Sequence, residues 1–147
     1  MSDITDIRKL VGRIDGLVEM LASTEKMTIY SGFRGGKPIP LEQASEKLEV
    51  ISEEISKIEA ALDNMQYGES ESEISSLLNL CMMYLNRLRQ NTDTMKGIVG
   101  KFKSSQEGGK SYGFFKMRKD AKEWDRDTKK LLNVRSNVEL FLRNIPR

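Results

Sequence analysis

The chain has 147 residues, of which 38% are hydrophobic and 31% charged, a composition that suits a single helical domain with apolar residues confined to one side of each helix. It contains no histidine and one cysteine, which excludes Ser-His-Asp and Cys-His catalytic arrangements and the usual zinc sites. The net charge of +2 conceals a division along the chain. Residues 41–85 carry 2 basic and 10 acidic groups (−8), whereas residues 86–147 carry 16 basic and 7 acidic groups (+9).

Apolar residues at helical spacing predict a first helix from about Asp3 to about Ala22. They are Ile4, Ile7, Leu10, Val11, Ile14, Leu17, Val18 and Leu21. Gly12 and Gly16 lie inside this helix, where they mark either a close approach to another helix or a tolerated weak point. The segment 23–39 loses the periodicity and contains glycines and a proline, so we interpret it as a long connection with a short ordered turn around Met27–Tyr30.

The second predicted helix has the most regular pattern in the chain. Its apolar residues alternate at spacings of three and four, which forms an unbroken heptad seam: Leu41, Ala44, Leu48, Ile51, Ile55, Ile58, Leu62 and Met65. Acidic residues occupy the opposite side, at Glu42, Glu46, Glu49, Glu53 and Asp63. Gly68 marks its end. A helix with one such seam needs partner helices to bury it.

The third predicted helix opens at a capping box formed by Ser70 and Glu73. It is apolar on nearly all sides between Leu77 and Leu85, as expected of a helix with neighbours on two flanks. Glycines at positions 97 and 100 are expected to fray or bend its last turns. The segment that follows, Lys103–Gly113, has the composition of a polar, glycine-rich linker.

The fourth predicted helix runs from about Phe114 to about Arg143. Arg135 falls on its apolar side, where it should either extend outward along its aliphatic stem or pair with an acid on a neighbouring helix. The seam comprises Met117, Ala121, Trp124, Thr128, Leu131, Val138 and Leu142, broadened by Phe114, Leu132 and Phe141. Because no alternating strand pattern occurs, the sequence predicts an all-α, up-and-down four-helix bundle: one domain over residues 1–147, with a long Gly/Pro-containing connection between helices 1 and 2.

Among the predicted surfaces of this chain, the basic face of the fourth helix most strongly suggests a binding function. It comprises Lys116, Lys119, Lys122, Arg126 and Lys129, preceded by a basic stretch with interleaved aromatic residues. Such a face suits a protein partner or an anionic membrane surface, and nucleic acid is the least favoured partner. The alternative is a solvated helix face, because i,i+4 pairs would partly neutralise it: Lys116/Asp120, Lys119/Glu123 and Asp125/Lys129.

Two glycine–lysine sequences resemble phosphate-binding loops without completing the motif. Before Gly109-Lys110-Ser111, a serine (Ser104) stands where the Walker A motif requires its first glycine. Gly36-Lys37 is followed by proline instead of Ser/Thr. The paired carboxylates, such as Glu53/Glu54, lie on predicted exposed faces, where nothing raises a pKa for acid catalysis. We therefore expect no enzymatic activity, no cofactor and no metal.

Three segments in the second half carry a family resemblance: SSLLNLCMMYLNRLRQ, YGFFKMRKDAKEWDRD and TKKLLNVRSNVELFLRN. Over roughly residues 41–145 this order resembles the helical N-terminal domains of fungal STAND (NLR-like) receptors and, more distantly, the four-helix HeLo and MLKL-type bundles. The resemblance implies a signalling bundle that self-associates or is released on activation, in some relatives to permeabilise membranes. This chain departs from membrane-perforating members because its first helix is charged throughout.

The sequence therefore favours a non-catalytic helical interaction or signalling module that self-associates or binds a protein partner. A peripheral membrane-binding or membrane-disrupting bundle is the alternative. We expect a cytoplasmic location, since one cysteine cannot form an internal disulfide, no signal peptide is evident, and the longest uncharged run has 13 residues.

Overall fold

The computed structural model describes residues 4–34, 39–68, 72–109 and 111–145, and nearly all of these residues are helical. The described part contains no strand, so the predicted all-α class is confirmed. A π-helical turn, Lys26–Tyr30, links the first two α-helices. The helices, in chain order, are α1 (Ile4–Glu25), α2 (Ser31–Arg34), α3 (Leu41–Gly68), α4 (Ser72–Gln106) and α5 (Phe114–Arg143).

Helix α4 is the central element of a four-helix bundle formed with α1, α3 and α5. It packs against α3 and against α5, and α1 contacts both α3 and α4. The buried residues of α4 fall on both flanks, as its sequence predicted: Ile74, Leu77, Leu78, Cys81, Tyr84, Leu85, Leu88, Met95, Ile98, Val99 and Phe102. Contacts from Gln66 to Asn79 at one end and from Glu42 to Lys103 at the other make α3 and α4 antiparallel.

The heptad seam of α3 is buried as the sequence predicted. Seven of its eight residues are buried, and Met65, near the C-terminal end, is half-buried. Each buried Leu or Ile side chain contributes roughly 1.5–3 kcal/mol relative to an exposed one, so this seam is a main source of stability. The five acidic residues that the sequence placed on the opposite side are all exposed.

The first helical segment extends beyond its predicted end near Ala22. The chain stays helical to Arg34, so segment 23–34 is not the irregular connection that we expected; residues 35–38 lie outside the described residues. Thr24 and Thr28 are fully buried and continue the inward face, with their hydroxyls donating to the Leu21 and Thr24 carbonyls at 2.7 Å. The apolar pattern missed them because a threonine counts as polar, although these bonds satisfy the hydroxyl.

Glycines behave differently from the sequence expectation. A Cβ added at Gly12 or Gly16 would meet no atom within 4 Å, so neither marks a close helix approach. The close approach is instead at Gly32 in α2, where a Cβ would lie 2.8 Å from the ends of Phe102 and Met117. Glycine at this position lets α2 rest against the end of the α4–α5 hairpin.

The end of α4 also differs from the prediction. Gly97 and Gly100 do not end the helix, which continues to Gln106, so the first four residues of the predicted linker Lys103–Gly113 are helical. A turn at 107–109 then leads towards α5. At the other end, α4 begins at Ser72, and the predicted capping residue Ser70 lies outside the described residues.

A polar cluster joins three helices inside the bundle. The buried Tyr84 hydroxyl of α4 donates a 2.6 Å hydrogen bond to Asp15 of α1, and Arg135 of α5 donates to the same carboxylate oxygen at 3.0 Å. Arg135 also pairs with Glu139. The apparent misfit of Arg135 on the α5 seam is therefore resolved by an acid on a neighbouring helix, one of the two outcomes that we expected. Burial, and then the bond to Asp15, raise the pKa of Tyr84, which stays a protonated donor.

Replacing Ile55 by alanine should lower the free energy of unfolding by roughly 2–5 kcal/mol, because it removes buried methyl groups and leaves a cavity in the α3 seam. Glu53→Ala is the matched control on the exposed side of α3 and should change it by less than about 0.5 kcal/mol. Urea denaturation measures both. Equal losses would contradict the assigned faces of α3.

The polar cluster should show energetic coupling between α1 and α4. Tyr84→Phe and Asp15→Ala should each cost roughly 1–3 kcal/mol, since each leaves a partly or fully buried polar group with fewer partners. The double variant should lose clearly less stability than the sum of the two single losses. After the first change the partner already lacks its hydrogen bond, so removing that partner costs little more. Chemical denaturation of the four proteins tests this, and additive costs would show that the two groups do not interact.

Candidate functional site

The five predicted basic residues all lie on α5 and are all exposed. Four of them recur at spacings of three, four and three, which places them in one row along the helix, about 15 Å long. We call this row the basic stripe: Lys119, Lys122, Arg126 and Lys129. Lys116 lies beside the row, where it lines a cleft between α4 and α5.

The i,i+4 ion pairs expected to neutralise this face do not form. Asp120 binds Lys101 of α4 instead of Lys116, at 2.7 Å. Within the described residues, no member of the basic stripe takes part in an ion pair, and neither do Glu123 and Asp125. The reason is geometric, because α4 supplies a base that reaches Asp120 from across the helix interface. The basic stripe therefore keeps more of its positive field than the sequence indicated.

Two aromatic residues at the start of α5 are exposed next to the basic stripe. Phe115 is 85% exposed and Phe114 58%, with their rings edge to face at a centroid distance of 6.2 Å. The sequence placed Phe114 on the apolar seam, and that expectation was wrong. Leu132, which was expected to broaden the same seam, is also exposed. Both residues lie at the margin of the α5 seam, and the bundle leaves that margin uncovered.

A cleft opens between the last turns of α4 and the first turns of α5. Its volume is about 440 Å³. Besides Asp120, its lining consists of three lysines and three hydroxyl residues: Lys101, Lys116, Lys119, Ser104, Ser111 and Tyr112. Two of the five basic residues, Lys116 and Lys119, are thus brought together with polar groups from α4 and from the connecting turn. We call it the α4–α5 cleft.

Asp120 holds one wall of this cleft in place. It accepts hydrogen bonds from Lys101 at 2.7 Å and from the Tyr112 hydroxyl at 2.6 Å. Burial is the largest single effect and would raise the pKa of Asp120, but the two hydrogen bonds and the positive charges of Lys101 and Lys119 together lower it, and the net shift is downward. Burial, and then the bond to Asp120, raise the pKa of Tyr112. Asp120 is therefore a charged acceptor and Tyr112 a protonated donor at neutral pH.

Sequence reasoning did not identify Tyr112 and Lys101 as partners of Asp120. Tyr112 also packs edge-on against Phe102 at a centroid distance of 4.8 Å, which fixes the turn against α4. The available signal was the eight-residue separation of Tyr112 and Asp120 across the start of α5. It becomes informative only once the turn and the end of α4 are known.

The acidic face of α3 is partly used inside the molecule. Glu42 and Glu49 pair with Lys103 and Lys96 of α4 at 3.3 and 3.4 Å. Within the described part of the chain, three acids on this face make no ion pair: Glu46, Glu53 and Asp63. These three remain available to a partner.

Comparison with protein-family models, with curated proteins and with solved structures gives no match. Among the described helices, none contains a stretch long and apolar enough to cross a lipid bilayer. The described residues also hold no group of three or more side chains arranged to bind a metal ion.

Asp120→Asn should lower the free energy of unfolding at pH 7 by roughly 1–3 kcal/mol, because it removes a charged acceptor of two hydrogen bonds. The pKa of Asp120 is lowered in the folded state, so its stabilisation is present above the ordinary carboxyl pKa near 4 and is lost as the pH falls through the lower, folded value. The difference between wild type and variant should therefore shrink in acid. Urea denaturation at pH 7 and pH 3 measures it.

Glu123→Gln is the matched control, since Glu123 is an exposed α5 acid with no ion pair among the described residues. It should leave stability unchanged at both pH values. A difference between wild type and Asp120→Asn that is the same at pH 7 and pH 3 would contradict the role of the Asp120 charge.

Proposed function

We propose that this chain is a non-catalytic helical interaction module that self-associates or binds a protein partner through the basic stripe of α5. The observation that carries the proposal is a row of four exposed bases without ion pairs in the described structure. The bundle itself does not need these charges, because its stability comes from the buried seams. Their contribution is therefore to attract and orient an acidic surface.

The buried reactive groups support a non-catalytic role. Cys81 is fully buried in α4, and burial raises the pKa of its thiol to about 12, so the thiol is protonated at neutral pH. The Tyr84 hydroxyl is fully engaged with Asp15 inside the bundle. Both side chains are fully buried, and neither lines the α4–α5 cleft, where a substrate could meet it.

Self-association is supported by the spacing of the opposite charges. Glu46 and Glu53 are seven residues apart on α3, as are Lys119 and Arg126 on α5. Both distances correspond to about 10 Å along a helix, so the two faces can pair turn by turn between molecules. A contact between two different faces is heterologous and continues from copy to copy unless a rotation closes it. Such growth suits the signalling role, in an immune-type receptor, that the family resemblance implies.

Two charge-reversed variants test the proposal. One carries Lys119→Glu, Lys122→Glu and Arg126→Glu on the basic stripe; the other carries Glu46→Lys and Glu53→Lys on α3. Each should keep the wild-type unfolding curve, because none of the replaced groups makes an ion pair in the described structure. Each alone should lose self-association measured by light scattering at low salt, where the Debye length is about 10 Å.

Mixing the two variants gives the decisive result. The acidic α3 face of the first still fits the basic stripe of the second, and the reversed stripe of the first fits the reversed α3 face of the second. The mixture should therefore recover the self-association that each variant alone has lost. If the chain instead binds a separate acidic partner, the stripe variant loses binding and the α3 variant keeps it. Masses and partner binding that are unchanged in both variants would refute the role of the basic stripe.

A peripheral membrane-binding bundle is the second candidate, favoured by the exposure of Phe114 and Phe115 at one end of the basic stripe. Aromatic side chains beside lysines suit the interface of an anionic bilayer. Phe115→Ala should then reduce sedimentation with anionic vesicles. Leu140→Ala, an exposed apolar residue at the other end of α5, should not. No binding by wild type, or equal loss in both variants, would exclude insertion by this end.

A further inference from the structure

The α4–α5 cleft differs from the lysine-lined groove between α3 and α4. In the groove between α3 and α4, Lys96 and Lys103 are both paired with glutamates of α3. In the α4–α5 cleft, Asp120 neutralises Lys101, whereas Lys116 and Lys119 make no ion pair with described residues. Among the described residues, the four charged lining groups therefore leave a net charge of +2, concentrated in a concave site.

The neutral groups of the cleft are also arranged for an anion. The hydroxyls of Ser104 and Ser111 line it and have no hydrogen-bond partner within the described residues. The Tyr112 hydroxyl donates to Asp120, which fixes this wall of the cleft. A volume of about 440 Å³ lies within the range of small-ligand sites.

The start of α5 adds a favourable dipole at the same place. Its N-cap, Gly113, offers no side-chain cap to the first-turn amides, and the first turn contains no acid. Lys116 belongs to this turn. The positive end of the helix dipole favours a negative group, which reinforces the lysine and hydroxyl lining.

We propose that the α4–α5 cleft binds the dianionic phosphate of a phosphomonoester. Lys116 and Lys119 supply the two compensating charges, and Ser104 and Ser111 donate to the phosphate oxygens. A phosphomonoester carries close to two negative charges at neutral pH, because its second pKa is about 6, whereas a phosphodiester carries one. This site shares Lys119 with the basic stripe, but Lys122, Arg126 and Lys129 do not line it, so the two proposals can be tested with different variants.

The test is an NMR titration of the full chain with glycerol 3-phosphate and with dimethyl phosphate. Glycerol 3-phosphate should shift amides around residues 104–119 saturably and should bind about tenfold more tightly than the diester, because it has twice the charge. Its affinity should fall as the pH drops below 6. Non-saturating shifts, or equal effects of the two anions, would overturn the proposal.

Two matched variants locate the site. Lys116→Gln with Ser111→Ala should weaken binding of glycerol 3-phosphate by about tenfold, through loss of a charge and a donor. Lys122→Gln with Lys129→Gln removes two equally exposed α5 charges outside the cleft and should change the affinity less than twofold. Equal losses in both would show only general attraction to a basic helix. Lys116→Gln with Ser111→Ala should keep self-association. A failure of the phosphate site can therefore be distinguished from a failure of the proposed interaction through the basic stripe.

Vesicles identify the source of the phosphate. Phosphatidic acid carries a monoester and phosphatidylglycerol a diester, and both can be mixed into neutral vesicles at the same mole fraction. If the chain binds phosphatidic acid vesicles and free glycerol 3-phosphate displaces it from them, the cleft can take a phosphate from a lipid or from a small molecule. Binding to the free ester alone assigns it to a small molecule, and much tighter binding to the phosphatidic acid vesicles than to the free ester assigns it to a lipid headgroup. Binding to neither overturns the proposal.

Discussion

Helices α3 and α5 both pack against α4, in which five residues are buried within little more than two turns: Leu77, Leu78, Cys81, Tyr84 and Leu85. Each outer helix has one apolar side and cannot be stable by itself in water. Burial against a shared neighbour therefore couples their stabilities. By contrast, α1 reaches α5 through long polar side chains, such as Arg8, which donates to the Leu142 carbonyl at 3.1 Å. The bundle is thus closed by polar bonds on the side where its apolar packing is weakest.

The acidic residues of α3 and the basic residues of α5 are neutralised to different degrees within the molecule. The acids of α3 face bases of α4, and several are neutralised within the molecule, as at Glu59 and Arg89. The bases of the basic stripe have no such neighbour, because the acids nearest to them in sequence either pair with α4, like Asp120, or are exposed and make no ion pair with described residues. Most of the unsatisfied positive charge therefore collects on one helix, beside the α4–α5 cleft.

The fold was largely predictable from the sequence, since the heptad of α3 and the limits of α5 follow from local spacing alone. The extension of α1 was missed because Thr24 and Thr28 are buried polar residues whose hydroxyls bond to their own helix. The contacts of Asp120 and the close approach at Gly32 could not be predicted, because they depend on how the ends of three helices meet. The exposure of the basic stripe on α5 follows from the sequence pattern, but its lack of ion pairs with described residues depends on tertiary neighbours.

The burial of Cys81 gives this protein an intrinsic reporter of its own dynamics. The chain has one thiol, and it lies in the helix that the other three cover. A thiol reagent can react with it only in molecules whose bundle has transiently opened, and solvation then restores the ordinary reactivity of the thiolate. The rate of labelling under native conditions thus reports how often α4 loses its neighbours, without any engineered probe. If association or phosphate binding tightens the bundle, the same thiol will record it as a slower reaction.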